Sequence, residues 1–261
     1  MNILRPHPQP PARVAEFLDG ADNVTSTARQ HRLLSERPSG RPKTVAFFRE
    51  AVARHHASAE QRQRTAKINE ALQRQGLPTR SLYPSREDTR KGNLAEIILA
   101  EYITANERVS LPVYRLRYNT NVEQSMKGDD VLAFDLDSTP VRILVGESKF
   151  RADPRKEHVE EIVEALFRSH QAQVPISLWF IADRLDEQQQ HELARKVENC
   201  AILIGQGQAQ LDYVGLLVGG GAAGRHIQAN TRDGEPRRLV MISLGLEAPD
   251  SLVGACFNGL A

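Results

Sequence analysis

From Thr44 onward the apolar positions Val45, Phe47, Phe48, Ala51 and Val52 recur at helical spacing, and Ile68 and Leu72 continue the pattern until Gly76 and Pro78 stop it. This predicts a helical pair. Ser85 followed by Asp88 reads as an N-cap signal for a helix of about 18 residues, marked by Leu94, Ile97, Ile98, Tyr102 and Ala105. Glu96 falls at the edge of its apolar arc. Pro112 ends that pattern, and three β-type runs follow: VYRLRYN at 113–119, VLAFDL at 131–136 and VRILVGESKF at 141–150. Ser138, Thr139 and Pro140 separate the last two as a tight turn does. Val159, Ile162, Val163, Leu166 and Phe167 then mark one face of a helix. The continuous apolar run 176–182 predicts a strand, a stretch of about 186–199 another helix, and AILIG at 201–205 a further strand.

Helix, three strands, helix, strand, helix, strand is an α/β order, with the later strands apolar on both faces as in a sheet covered by helices. The first 40 or so residues are rich in Pro, Arg and Ser around a short apolar patch at Val14, Phe17 and Leu18, so partial order at best is expected there. The chain divides on this reading into a poorly ordered or partner-binding segment (1–42), a basic helical region (43–84) and a main domain (85–261).

With 261 residues, 40% hydrophobic and 26% charged, the chain has ordinary globular usage and length enough for one large α/β domain. It has no apolar run of membrane-spanning length and no apolar leader near its start, so a cytoplasmic protein without a membrane association is expected. Cys200 and Cys256 form no CxxC pair and are expected as free thiols. The net charge of +1 hides an asymmetry: residues 1–91 carry 17 Lys and Arg against 9 Asp and Glu, and the rest of the chain 17 against 24. Arg62, Arg64, Arg74, Arg80, Arg86 and Arg90 in the basic part suit either phosphate contacts or a solvated helix face.

The candidate chemistry lies on the hairpin. Asp129 and Asp130 open one strand, and Glu147, Ser148 and Lys149 end the next. Strand alternation sends Glu147 and Lys149 to one face and Ser148 to the other, and the open end of the hairpin brings Asp130 beside Glu147. A hard divalent cation that activates water against a phosphodiester chooses carboxylates and carbonyls. Asp130 and Glu147 supply the first pair and the Ser148 carbonyl a third oxygen. Lys149 can hold the attacking water and offset charge on the reacting phosphate, and Glu96 from the preceding helix completes the acidic cluster. Asp129 remains the rival of Asp130, because an error of one residue in the strand start would exchange them.

A helix Glu followed by (x)D and ExK on adjacent strands resembles the PD-(D/E)xK restriction-endonuclease-like superfamily. GNLAE at 92–96, KGDD at 127–130 and GESKF at 146–150 resemble, more particularly, the HamA family of Hachiman anti-phage defence systems. The motifs cover about residues 87–182. The resemblance implies a restriction-endonuclease-like mixed central sheet flanked by helices, here with a helical N-terminal extension. It also implies Mg²⁺ (or Mn²⁺) as cofactor, DNA as substrate and a helicase subunit (HamB-like) as partner. Asp130, Glu147 and Lys149 match the superfamily's metal-binding and catalytic positions, and Glu96 its helix acid. Gly128 stands where the motif's proline would be.

Two readings compete. A nuclease-like core could serve as a non-catalytic scaffold for a helicase, although the acid, acid and lysine set is intact. Gly219, Gly221 and Gly224 formally match G-x-G-x-x-G after the apolar run VGLLV. A dinucleotide fold would need that loop to open a β-α-β unit, and RRLVMISLGL is the sole further strand expected. His55 and His56 lie in an Arg-rich helix without metal-ligand spacing and are expected at the surface.

Overall fold

The computed structural model describes residues 3–26, 29–221, 223–229 and 238–260. Six strands form one mixed sheet: β1 (Leu18–Ser26), β2 (Arg29–Glu36), β3 (Val131–Asp135), β4 (Val141–Arg151), β5 (Ala209–Gly219) and β6 (Leu239–Gly245), in the order β1-β2-β6-β5-β4-β3. The four inner strands β2, β6, β5 and β4 run parallel, and β1 and β3 close the two edges as antiparallel hairpin partners. Alternate residues on these strands point to opposite faces, and each face is covered by helices. Leu144, Val214, Leu216, Val218, Val240 and Ile242 join one core with α1 (Arg41–His56), α3 (Glu87–Asn106) and α8 (Pro249–Phe257). Ile143, Val145, Tyr213, Leu217 and Met241 join the other with α4 (Lys156–Gln171), α5 (Ser177–Glu187), α6 (His191–Gly205) and the short α7 (Ala223–Ala229). The remaining helix is α2 (Ala59–Arg74), whose buried residue is Thr65. The α/β class is what the hydrophobic pattern predicts, and the mixed, helix-flanked sheet is what the family resemblance implies.

Four local expectations change. Residues 176–182 are helical, in α5: Leu178, Ile181, Ala182 and Leu185 form a buried 3.6-residue stripe, which the apolar Ile176 and Trp179 on the outer side disguise as a continuous run. Residues 201–205 are the last turn of α6 rather than a strand, with Ile202 exposed. VYRLRYN contains a 3-10 turn, Arg115–Tyr118, and its buried Val113 and Leu116 are spaced by three, not two. The segment expected to be poorly ordered carries a 3-10 turn (Arg13–Glu16) and both strands of the β1-β2 hairpin. These strands hold few apolar residues, so pairing with β6 rather than periodicity makes them strands. Ile3 and Leu4 are buried too, and their backbone N–H groups donate to the Gln30 side-chain oxygen at 2.8 and 3.0 Å.

His55 and His56 are buried rather than at the surface: His55 Nε2 lies 2.7 Å from Glu101, and His56 Nδ1 2.9 Å from the Val52 carbonyl. Burial lowers the His56 pKa to about 4. The glycine-rich loop opens a β-α-β unit, joining β5 to α7 and the parallel β6, the strand expected in RRLVMISLGL. Packing accounts for Gly219, where an added Cβ would fall 2.4 Å from the Arg151 carbonyl oxygen. Cys200 and Cys256 are free and buried, and no helix among the described residues is long and apolar enough to cross a membrane.

Candidate active site

Helix α3 lies inside the molecule, with Leu94, Ala95, Ile97, Ile98, Leu99 and Ile103 fully buried. Burying aliphatic side chains of this size stabilises the fold by roughly 1.5–3 kcal/mol each, which fixes the helix against β4. Gly146 sets the approach: a Cβ there would stand 2.9 Å from both Leu99 Cδ2 and Val131 Cβ. Glu96 therefore faces the C-terminal end of β4 from within the core, only 7% exposed, instead of at the margin of an amphipathic helix. The expected Ser85 and Asp88 cap is absent. The Glu123 carboxylate takes the Ser85 and Arg86 backbone N–H groups at 2.8 and 3.0 Å instead.

The hairpin register aligns Val131 with Gly146, so Asp130 follows opposite Glu147, as strand alternation and the turn predict. Beyond that point β3 no longer covers the β4 edge, and Asp130 Oδ2 accepts both the Ser148 N–H (2.9 Å) and the Ser148 hydroxyl (2.8 Å). Glu147 and Lys149 share a face, with Nζ 3.1 Å from Glu147 Oε1. Asp129 points elsewhere. Its Oδ1 accepts the Ser169 hydroxyl at 2.8 Å, and its Oδ2 accepts the Ser177 backbone N–H at 3.0 Å at the start of α5. The neighbouring acids thus divide their tasks: Asp129 closes a helix end, and Asp130 joins Glu96 and Glu147. With Asp130 as the clustered acid, the place of the motif's proline falls on Asp129 rather than on Gly128, whose φ of +109° serves the turn that presents both acids.

Arg115 is the residue that sequence reasoning misses. From the 3-10 turn its guanidinium reaches between Glu96 (3.6 Å) and Asp130 (3.8 Å) and donates to the carbonyls of Met126 (2.8 Å) and Asp129. The sign that could have found it is the three-residue spacing of Val113 and Leu116, which turns Arg115 away from a strand pattern.

The acids remain under-neutralised. Burial, reinforced by Asp130 and Glu147, raises the Glu96 pKa to about 8 although Arg115 opposes it. Burial, then Asp130, raises Glu147 to about 7 against the pull of Lys149. Carboxyl groups that titrate near neutrality can hold or move a proton at working pH. Their oxygen donors also suit a hard divalent cation, whose charge would relieve the repulsion that keeps them protonated. Among the described residues, no three His, Cys, Asp or Glu side chains are placed to hold a metal ion as they stand; Arg115 lies between Glu96 and Asp130, and Lys149 pairs with Glu147.

The cluster opens into a cleft of about 1080 Å³, whose lining also includes Lys91, Lys127, Arg151 and Arg168. None of the six N-terminal arginines singled out for phosphate contacts lines it. Arg62 instead donates to the carbonyls of Ala53 and Ala57 at the end of α1. Of the basic residues just beyond β4, Arg151 borders the cleft, Arg155 and His158 together cap α4, and Lys156 pairs with Glu160.

The HamA family profile matches residues 15–258, including the first two strands. Hachiman protein HamA of Bacillus cereus is 32% identical over 247 residues, covering 93% of this chain and 89% of that protein. The chain belongs to the HamA family of Hachiman defence proteins.

Proposed function

We propose that this chain is a divalent-metal-dependent deoxyribonuclease, the cytoplasmic effector of a Hachiman defence system, working with a helicase subunit (HamB-like). The observation that carries the reading is the convergence of Glu96, Asp130, Glu147 and Lys149 at the end of β4, in a cleft open to a polymer. A scaffold has no need to bury two glutamates with pKa values near 7 and 8 beside a lysine.

When bound, Mg²⁺ (or Mn²⁺) supplies a Lewis acid for the scissile phosphate and acidifies a water. Asp130 through Oδ1, Glu147, Glu96 and the Ser148 carbonyl would hold it. Ser148 also fixes the Asp130 carboxylate through Oδ2, so the ligand arrives oriented. Lys149 orients the attacking water from Nζ and offsets charge growing on the phosphate oxygens. Arg115 keeps Asp130 and Glu96 from repelling each other and, through the Met126 and Asp129 carbonyls, holds the loop that presents Asp130.

The test is plasmid cleavage in Mg²⁺ by the purified chain, alone and with the helicase and ATP. Nicked or linear product that disappears with EDTA, and in Glu147→Ala and Lys149→Ala chains of unchanged circular dichroism, supports the reading. Mg²⁺-dependent cleavage retained by both variants removes the site assignment. No cleavage under any of these conditions favours the scaffold.

A further inference from the structure

Helix α5 begins at the cleft, and its first turn presents apolar side chains to solvent. Ile176, 60% exposed, lines the cleft beside Lys149 and Arg168, and Trp179, the sole tryptophan of the chain, is 53% exposed three residues further on. Residues at this spacing are neighbours on a helix surface. Folding does not require them there. Leu178, Ile181, Ala182 and Leu185 already anchor α5 in the core, and Phe180 turns inward to meet Tyr118 at 5.9 Å between ring centroids. The Asp129 carboxylate fixes the start of the helix from the residue next to Asp130, so the ledge and the acidic cluster are held by one loop.

An exposed indole three residues on from Ile176, which itself lines a cleft bordered by Lys127, Lys149, Arg151 and Arg168, supplies with those cations the two elements by which proteins hold a nucleic-acid strand: charge for the phosphates and a flat face for a base. Bases inside a duplex have both faces covered by their neighbours; an unpaired base has one to offer. Resting on the nuclease reading, we infer that Trp179, with Ile176 beneath it, stacks on an unpaired base of the strand being cut. The substrate entering the cleft is therefore single-stranded or locally opened DNA rather than intact duplex.

As the sole indole in the chain, Trp179 reports on itself. The full-length Glu147→Gln chain, unable to cut, is titrated in Ca²⁺ with a labelled single-stranded oligonucleotide and with a hairpin-closed duplex of the same sequence. Binding is read by label anisotropy and stacking by tryptophan fluorescence. The expected result is saturable quenching by the single strand and little by the duplex. Trp179→Ala should weaken single-strand binding about tenfold, and Trp179→Phe should restore most of it. Binding without quenching, equal quenching by the closed duplex, or no binding at all would overturn the ledge. So would a Trp179→Ala chain that binds the oligonucleotide normally but no longer co-purifies with the helicase, since the face would then be a protein contact. Quenching in a protein whose parent cuts nothing in Mg²⁺ supports the ledge and removes the nuclease; cutting without quenching does the reverse.

Discussion

Strand β4 begins with Arg142 between Asp212 and Glu107, and it ends with Glu147 and Lys149 beside Asp130 and Glu96. At the first end every charge is answered. Arg142 pairs with Asp212 at 2.6 Å and Glu107 at 2.7 Å, Arg238 adds a second cation to Asp212, and Glu107 also takes the Arg5 N–H at 2.6 Å. Asp212 is wholly buried there. At the other end three acids face two cations at longer range, and the cluster opens to a cleft. Both ends bury carboxylates, yet one closes its network within the protein and the other leaves it incomplete. Burial of charge is common to both ends; an acid excess that the protein does not neutralise belongs only to the end proposed as the active site.

This contrast can be broken by substitution. Removing an acid from the incomplete end should affect chemistry and spare the fold: Glu147→Ala is expected to slow Mg²⁺-dependent cleavage by about 10³-fold with an unchanged urea midpoint. Asp212→Ala should do the opposite. It leaves Arg142 answered by Glu107 alone and takes Asp212 from Arg238, costing on the order of 3 kcal/mol in urea unfolding while the remaining folded protein cuts at the parent rate. If Asp212→Ala proved neutral and Glu147→Ala unfolded the chain, the two ends would have to exchange roles.

A finer form of the contrast lies within one dipeptide. Asp129→Ala removes the acceptor for Ser169 and Ser177 and is expected to cost about 1–3 kcal/mol of stability, with cleavage reduced only as the loop loosens. Asp130→Ala should abolish cleavage at little cost in stability; equal effects in both assays would mean that the division of labour is wrong. The smallest effect concerns pH. Because Glu96 and Glu147 have folded pKa values near 8 and 7, above the ordinary carboxylate value, their contribution to stability is full below about pH 4.5 and is lost as the pH rises through 7 to 8. In EDTA the Glu96→Gln chain should thus lose less stability than the parent between pH 5 and 8. Parallel stability curves would show that Glu96 ionises freely.

The hairpin and its acids were legible in the sequence because they depend on local rules. A period of two, a turn at 138–140 and the hydrophobic register suffice to place Asp130 beside Glu147 and Lys149 on the same face as Glu147. Glu96 was legible as a helix residue but not as a buried one, since the space for α3 against the sheet comes from Gly146 and Leu99, far apart in sequence. The choice between Asp129 and Asp130 needed Ser169 and Ser177, forty residues or more away. α5 was misread because Trp179 and Ile176 add apolar positions to its outer face, and β1 and β2 were invisible because polar strands acquire their shape from β6.

The position of β6 between β2 and β5 governs the order in which the molecule can assemble during synthesis. The β1-β2 hairpin precedes β6 by most of the helices and strands of the fold, so its inner edge has no strand to join until β6 has been made. Contacts between such distant parts of a chain form slowly. Until then β2 keeps an unpaired edge, and an open strand edge is where another chain can join. The same arrangement makes β6 the strand whose loss would leave two open sheet edges at once, on β2 and on β5.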